Sequence, residues 1–145
     1  MSVQVSGSTT IAAPRERVHR VVLAIEDYPV WAGGIRSATV DERDDAGRPT
    51  LATVAVQTPL AQVTCTLAYE HADDALRWSL VRGEIINQFD GEYVLAGDAA
   101  GTLVTCSMEV GVDLPLPRPM LEKAVNDLLE KALGGLRARA QDLAD

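Results

Sequence analysis

Residues 62–71 alternate without a break: Val63, Cys65, Leu67 and Tyr69 share one parity, and Gln62, Thr64 and Thr66 take the other. A period of two with one apolar side marks a strand buried on one face and wet on the other. The same rhythm recurs along the chain. Residues 3–12 read as a first strand. Residues 35–44 and 49–58 read as a pair joined by the turn Asp45-Ala46-Gly47-Arg48, with Ala52, Val54 and Val56 on one face. Pro59-Leu60 breaks the second of these, and Asp73-Asp74 turns the chain after the strand at 62–71. Leu76, Trp78 and Leu80 form the next inward set, then Phe89, Gly91, Tyr93 and Leu95. After a turn at 97–101 come Val104, Cys106, Met108, Val110 and Val112.

Helical spacing interrupts this rhythm twice. Pro14 suits a helix start, where its missing N–H costs nothing, and Val18, Val21, Val22 and Ile25 follow at helical intervals. Tyr28 to Gly34 reads as a second short helix and a turn. Near the C-terminus, Pro115-Leu116-Pro117 makes a stiff approach to a helix that starts near Pro119 and runs to about Leu143. Its stripe is Leu121, Val125, Leu128, Ala132 and Leu136. At 1.5 Å per residue its length is ~36 Å. Gly134-Gly135 interrupts it, at roughly 1 kcal/mol per glycine relative to alanine. The pair is either a tolerated kink or a hinge that lifts the helix end. The pattern predicts one α+β domain spanning 1–145: a curved antiparallel sheet of about seven strands, two short helices after the first strand, and a long C-terminal helix across it.

Composition narrows the function. The 145 residues are 47% hydrophobic and 23% charged, ordinary globular usage. Thirteen basic residues face 21 acidic ones, a net charge of −8, which disfavours nucleic acid and anionic membrane surfaces as partners. Basic residues bunch only at Arg15, Arg17 and Arg20 and at Arg137 and Arg139, the latter pair complementing a helix dipole. No apolar run reaches the ~20 residues of a membrane span. The N-terminus lacks a basic-then-apolar leader, so a cytoplasmic location is expected. Two cysteines and two histidines show no zinc spacing, and no phosphate-binding loop or nucleophile elbow is present. The expectation is no metal and no cofactor.

Candidate site residues come from the inner faces. Tyr69, Trp78, Phe89 and Tyr93 all fall on the inward parity, while Tyr28 and Trp31 lie outside the strands. Few bulky residues are available to fill the space under the long helix, so an apolar cavity is expected. Trp31 reads as either a lid or a core plug. Arg82 shares parity with Trp78 and Leu80. It is either exposed at the rim or the one fixed cation in the pocket, with Glu84 and Gln57 as polar company. Cys65 and Cys106 read as buried, reduced thiols that behave as small hydrophobes. His19 is expected to face solvent, and His71 to lie at a strand end beside Asp73.

Several ordered segments resemble a known family. The run from Trp78-Ser-Leu80 through Gly91-Glu-Tyr93 and Gly101-Thr102-Leu-Val104 to Pro115-Leu-Pro117 is similar to polyketide cyclase/dehydrase-type members of the START-related, birch-allergen-like superfamily (SRPBCC). Ile11-Ala-Ala-Pro14 with Val18 resembles that family's first strand and first helix. Asp27-Tyr28-Pro29 with Trp31 resembles its second helix and cavity-mouth loop. The resemblance implies a helix-grip fold and a ligand held between sheet and helix. The expected ligand set is Tyr28, Trp31, Val63, Cys65, Leu67, Tyr69, Trp78, Arg82, Phe89, Tyr93, Cys106 and Met108. The expected function is binding or carriage of an apolar small molecule (a lipid, fatty acid, sterol or polyketide-like ring) by a monomer or homodimer. The alternatives are an aromatase/cyclase-type enzyme and a surface-interaction module. No convincing inward set of acid, base and oxyanion donors is legible, so no catalytic residue is assigned.

Overall fold

The computed structural model describes residues 1–58 and 61–142. Its strands are β1 (Ser2–Ile11), β2 (Ile35–Arg43), β3 (Pro49–Gln57), β4 (Gln62–Ala72), β5 (Ala75–Gly83), β6 (Ile86–Gly97) and β7 (Thr102–Val112). Its helices are α1 (Arg15–Leu23), α2 (Tyr28–Trp31) and α3 (Arg118–Asp142), with a 3₁₀ turn at Ile25–Asp27 between α1 and α2. The expected break at Pro59-Leu60 and the expected helix end at Leu143 lie outside the described residues.

One antiparallel sheet runs in the order β1-β7-β6-β5-β4-β3-β2. The first strand returns to pair with the last, from Ser2 opposite Gly111 to Ile11 opposite Thr102. Thr102, itself buried, donates its hydroxyl to the Ala13 carbonyl at 2.8 Å and so fixes the corner from which α1 departs. Alternation sets the faces as expected: Val104, Cys106, Met108, Val110 and Val112 are all buried. Cys65 on β4 and Cys106 on β7 are buried free thiols, separated by β5 and β6.

The sheet departs from regular alternation at two places. Between β4 and β5, Thr66 opposes Arg82 while Leu67 opposes Leu80, so Val81 is an inserted residue. Such a bulge reverses parity beyond it. Arg82 therefore lies exposed on the outer face opposite Thr66: of its two readings the exposed one holds, and its place in the expected ligand set falls away. Between β5 and β6 only four pairs form, from Ala75 opposite Val94 to Trp78 opposite Gly91. Beyond them β5 stays with β4, and β6 stays with β7.

The β5–β6 connection is a γ-turn. The Ile86 N–H donates to the Glu84 carbonyl at 2.7 Å, and Ile85 sits at φ 71°. A β-branched residue in that region is strained. The Asp113 N–H holds it from the end of β7, donating to the Ile85 carbonyl at 2.9 Å.

Helix α3 packs mainly along β1 and β7, with α1 and α2 against its C-terminal half. It buries Leu121, Val125, Leu129, Ala132, Leu133, Leu136 and Ala140. Leu128, expected in the stripe, is half-buried at its edge, and Leu129 holds the sheet-facing position. A 3.6-residue period places the third member of the stripe between two adjacent leucines, so spacing alone does not choose between them.

The helix is continuous through Gly134-Gly135, so the pair is not a break in it. A Cβ on Gly134 meets nothing within 4 Å, whereas one on Gly135 would lie 1.8 Å from the Trp31 carbonyl oxygen. Gly135 is thus the point at which α2 touches α3. Among the described residues, no helix is long and apolar enough to cross a membrane.

Candidate functional site between sheet and helix

Beneath α3 lie two small apolar cavities. The inner one, about 50 Å³, is walled by Leu67 and Tyr69 of β4, Trp78 of β5, Phe89 and Tyr93 of β6, Met108 of β7 and Val54 of β3. Tyr28, Ala32 and Ile35 close one end, and Leu128 and Ala132 of α3 form the roof. The outer cavity, about 70 Å³, lies toward the start of α3. Val56, Ile86, Phe89, Val110 and Val112 line it from the sheet, Ile85, Leu114 and Leu116 from the loops, and Met120, Leu121, Ala124, Val125 and Leu128 from the helix. Phe89 and Leu128 belong to both cavities and so form the partition between them. Leu128 also borders a solvent-facing groove of about 230 Å³ with Gly33, Gly34, Asp127 and Lys131. Leu128 is the one lining residue common to both cavities and this groove, and the outer cavity shares Gln57, Thr58 and Ala124 with the groove as well.

The aromatic wall is ordered by contact. The Trp78 ring meets Phe89 edge-on at 5.9 Å and Tyr93 at 5.5 Å. It lies flat across Gly91 of the neighbouring strand, where a Cβ would come within 2.1 Å of the indole. A hollow of about 350 Å³ on the opposite face of the sheet sits beside this last β5–β6 pair and is bordered by Ser79, Asp90 and Glu92. Trp78 and Met108 line both that hollow and the inner cavity.

The site is electrically quiet. Burial raises the Tyr69 and Tyr93 phenols above the usual tyrosine range, and Tyr28 likewise. Burial also pushes the Cys65 thiol up to about 11 and the Cys106 thiol to about 12. All five groups are neutral at physiological pH. The Tyr28 hydroxyl donates to the Val22 carbonyl. The Tyr69 and Tyr93 hydroxyls and the buried Trp78 Nε1 have no hydrogen-bond partner among the described residues. The wall thus offers hydrogen-bond donors and lacks a group that exchanges protons near neutrality. No cluster suited to a metal ion occurs among the described residues.

Of the residues expected from sequence, Tyr28, Leu67, Tyr69, Trp78, Phe89, Tyr93 and Met108 converge on the inner cavity. Val63, Cys65 and Cys106 are buried in the core beside it without lining either cavity. Trp31 is a core plug: it is buried, packs edge-on to Tyr28 at 4.8 Å, and lines a cleft on the α1 side. Arg82 and Glu84 are exposed, and Gln57 borders the outer cavity.

His19 does not simply face solvent. It is half-buried with Nε2 unpaired, and burial and then nearby His71 lower its pKa. His71 Nε2 donates to the Pro49 carbonyl, and its ring lies near His19. The residues that sequence reading missed are Leu128 as the partition and the apolar rim formed by Ile85, Leu114, Leu116 and Met120. Apolar residues inside the aperiodic Pro-rich approach to α3 were the available signal.

The chain matches the family model described as polyketide cyclase/dehydrase and lipid transport over residues 2–141. No curated protein matches it in sequence. Among solved structures, it is similar to a START superfamily protein from Mycobacterium smegmatis, at 24% identity and TM-score 0.89, covering 97% of this chain and 99% of that one. It is also similar to the Zhui aromatase/cyclase from a Streptomyces species, at 15% identity and TM-score 0.87, covering 100% and 97%. A third is a STAR-related lipid transfer protein fragment from Xanthomonas axonopodis, at 18% identity and TM-score 0.75, covering 95% and 85%. The seven-stranded sheet gripping one long helix is the START-type helix-grip fold, and the chain belongs to the polyketide cyclase/dehydrase and lipid transport family.

Proposed function

We infer that this protein binds a largely apolar small molecule between its sheet and α3 and releases it unchanged. The observation that carries the reading is the pair of adjoining apolar cavities divided only by Phe89 and Leu128. As they stand, about 50 and 70 Å³ hold only a small group each, so a ring or acyl chain requires Leu128 to swing aside and join them. A ligand burying about 300 Å² of apolar surface gains ~7 kcal/mol at ~25 cal/mol per Å². Losses from ordering the ligand bring the expected affinity to the micromolar range. The Tyr69 and Tyr93 hydroxyls, unpaired among the described residues, favour a ligand that carries a carbonyl or hydroxyl oxygen among its apolar atoms.

The alternative is cyclisation and dehydration of a linear poly-ketone, supported by the family description and by those same donors, which can hold carbonyl oxygens in a folded array. The absence of a cavity-facing histidine or carboxylate among the described lining residues makes binding without turnover the better reading. The test is gentle mass spectrometry of freshly purified protein, then titration with fatty acids, sterols and polycyclic phenols followed by Trp78 emission. Saturable micromolar quenching is expected. No co-purifying ligand and no binding below about millimolar would refute the carrier reading. A cyclised product from a linear poly-ketone would establish the enzyme instead.

A further inference from the structure

This chain has a net charge of −8, yet three of its arginines converge on one cleft. Arg17 and Arg20 stand three apart on α1, which puts them on one face, and Arg139 comes from the last turn of α3. With Asp27 at the rim and Trp31 against them they border a volume of about 300 Å³. Among the described residues, none of the three forms an ion pair, nor do Arg15, Arg36, Arg82 and Arg137, whereas Arg43, Arg48, Arg77 and Arg118 each hold a carboxylate. Trp31 forms the inner wall of the cleft. It is only 8% exposed, it lines the cleft, and its Nε1–H has no partner. Buried N–H donors are seldom left unpaired.

A simpler role for Arg20 and Arg139 exists, because each sits in the last turn of its helix. A cation there offsets a helix-end charge of roughly −0.5. Two such ends neutralise about one of the three positive charges. Exposed Asp27 neutralises about one more, and Arg17, near the start of α1, remains unexplained by any of them.

We propose that this cleft binds a phosphate group, carried by a soluble phosphomonoester or by a phospholipid headgroup. Guanidinium forks match phosphate oxygens two at a time, and three of them address three oxygens where a carboxylate has two. A single ring contact lies between the cleft and the apolar cavity: the Trp31 ring packs edge-on against Tyr28 at 4.8 Å, and Tyr28 lines the inner cavity.

The test follows the indole N–H of Trp31 by heteronuclear NMR, assigned with Trp31→Phe, while inorganic phosphate replaces chloride at constant ionic strength. A saturable shift with a Kd at or below about 1 mM is expected. Arg17→Gln and Arg139→Gln each weaken it by about fivefold or more. Arg137→Gln, which removes an exposed charge outside the cleft, leaves it unchanged. Glycerol 3-phosphate and vesicles of phosphatidylcholine containing phosphatidic acid then separate the two sources. Saturation by the soluble ester alone names a metabolite. Arginine-dependent cosedimentation with acidic vesicles, uncompeted by the ester, names a headgroup. The proposal is overturned if the indole signal does not saturate by about 20 mM phosphate, or if Arg137→Gln weakens binding as much as Arg17→Gln does.

Discussion

Replacing Gly91 with alanine probes the cavity wall at its tightest point. The new methyl carbon would start 2.1 Å from the Trp78 indole, and an ordinary contact needs at least 3.4 Å, so the ring must retreat by at least 1.3 Å. Overpacking of this kind costs about 1–3 kcal/mol. The edge-on contact with Phe89 and the tilted one with Tyr93 are disturbed as well, each worth ~0.5–1.5 kcal/mol beyond burial. A loss of about 2 kcal/mol lowers the Tm by about 4–8 °C in a domain of this size. The inner cavity, about 50 Å³, is the free space under the sheet next to the ring, so the domain should stay folded while the site closes. Thermal melts by circular dichroism, Trp emission and ligand titration read the three effects together. In a Trp78→Phe background the same substitution should cost less by at least ~1 kcal/mol, since the obstructing ring is smaller. An unchanged melting temperature with unchanged ligand affinity would show that the indole does not lie where Gly91 requires it to.

The two helix glycines should respond in opposite directions. Gly134→Ala, with open space around its Cβ, stabilises by about 0.5–1 kcal/mol. Gly135→Ala, aimed at the Trp31 carbonyl, destabilises and detaches α2, and denaturant melts of equal midpoint would sink this account. Leu129→Asp buries an unpaired carboxylate and should abolish the cooperative melt. Leu128→Asp, at the half-buried edge, should leave the domain folded but block ligand uptake. Leu128→Ala should cost about 1–2 kcal/mol and speed ligand entry in stopped-flow.

The buried thiols set a pH window. Their folded pKa values of about 11 and about 12 lie above the unfolded value of 9.0. Above that value the unfolded chain holds fewer protons than the folded one, so their contribution is complete below pH 9.0 and is lost as pH rises through about 11 and about 12. The Cys65→Ala, Cys106→Ala double variant should flatten that alkaline decline in denaturant titrations. A thiol reagent near neutral pH should react only as fast as the wild-type domain opens.

Strand parity was legible wherever a strand ran unbroken. Six of the expected cavity residues, all but Tyr28, follow from it because a period of two fixes which side chains share a face. It failed at Arg82 because one inserted residue, Val81, reverses every later side chain, and the run Val81-Arg82-Gly83 carries no polar–apolar mark of the insertion. Leu128 and Leu129 are chemically identical neighbours, and only the direction from which the sheet approaches the helix distinguishes them. Cys65, Cys106 and Val63 have the right parity but lie where the core is packed shut, and parity does not encode depth. Trp31 took the role of plug because Gly135 brings α2 down onto α3, a contact 104 residues away in sequence.

The four-pair seam between β5 and β6 makes the sheet two ribbons, β1-β7-β6 and β5-β4-β3-β2, joined at one end. In most sheets the central strands exchange their amide hydrogens last and the edges first. Here the order is expected to invert locally. Residues 79–83 of β5 and 86–90 of β6 do not pair with each other, so amides near the middle of the sheet that point into the seam should exchange early, while those of the long β1–β7 ladder persist. Two side chains at the seam, Trp78 and Met108, border both the outer hollow and the inner cavity. Spreading of the ribbons therefore enlarges the space under α3 without displacing the helix, and ligand size becomes a question of how far this seam breathes.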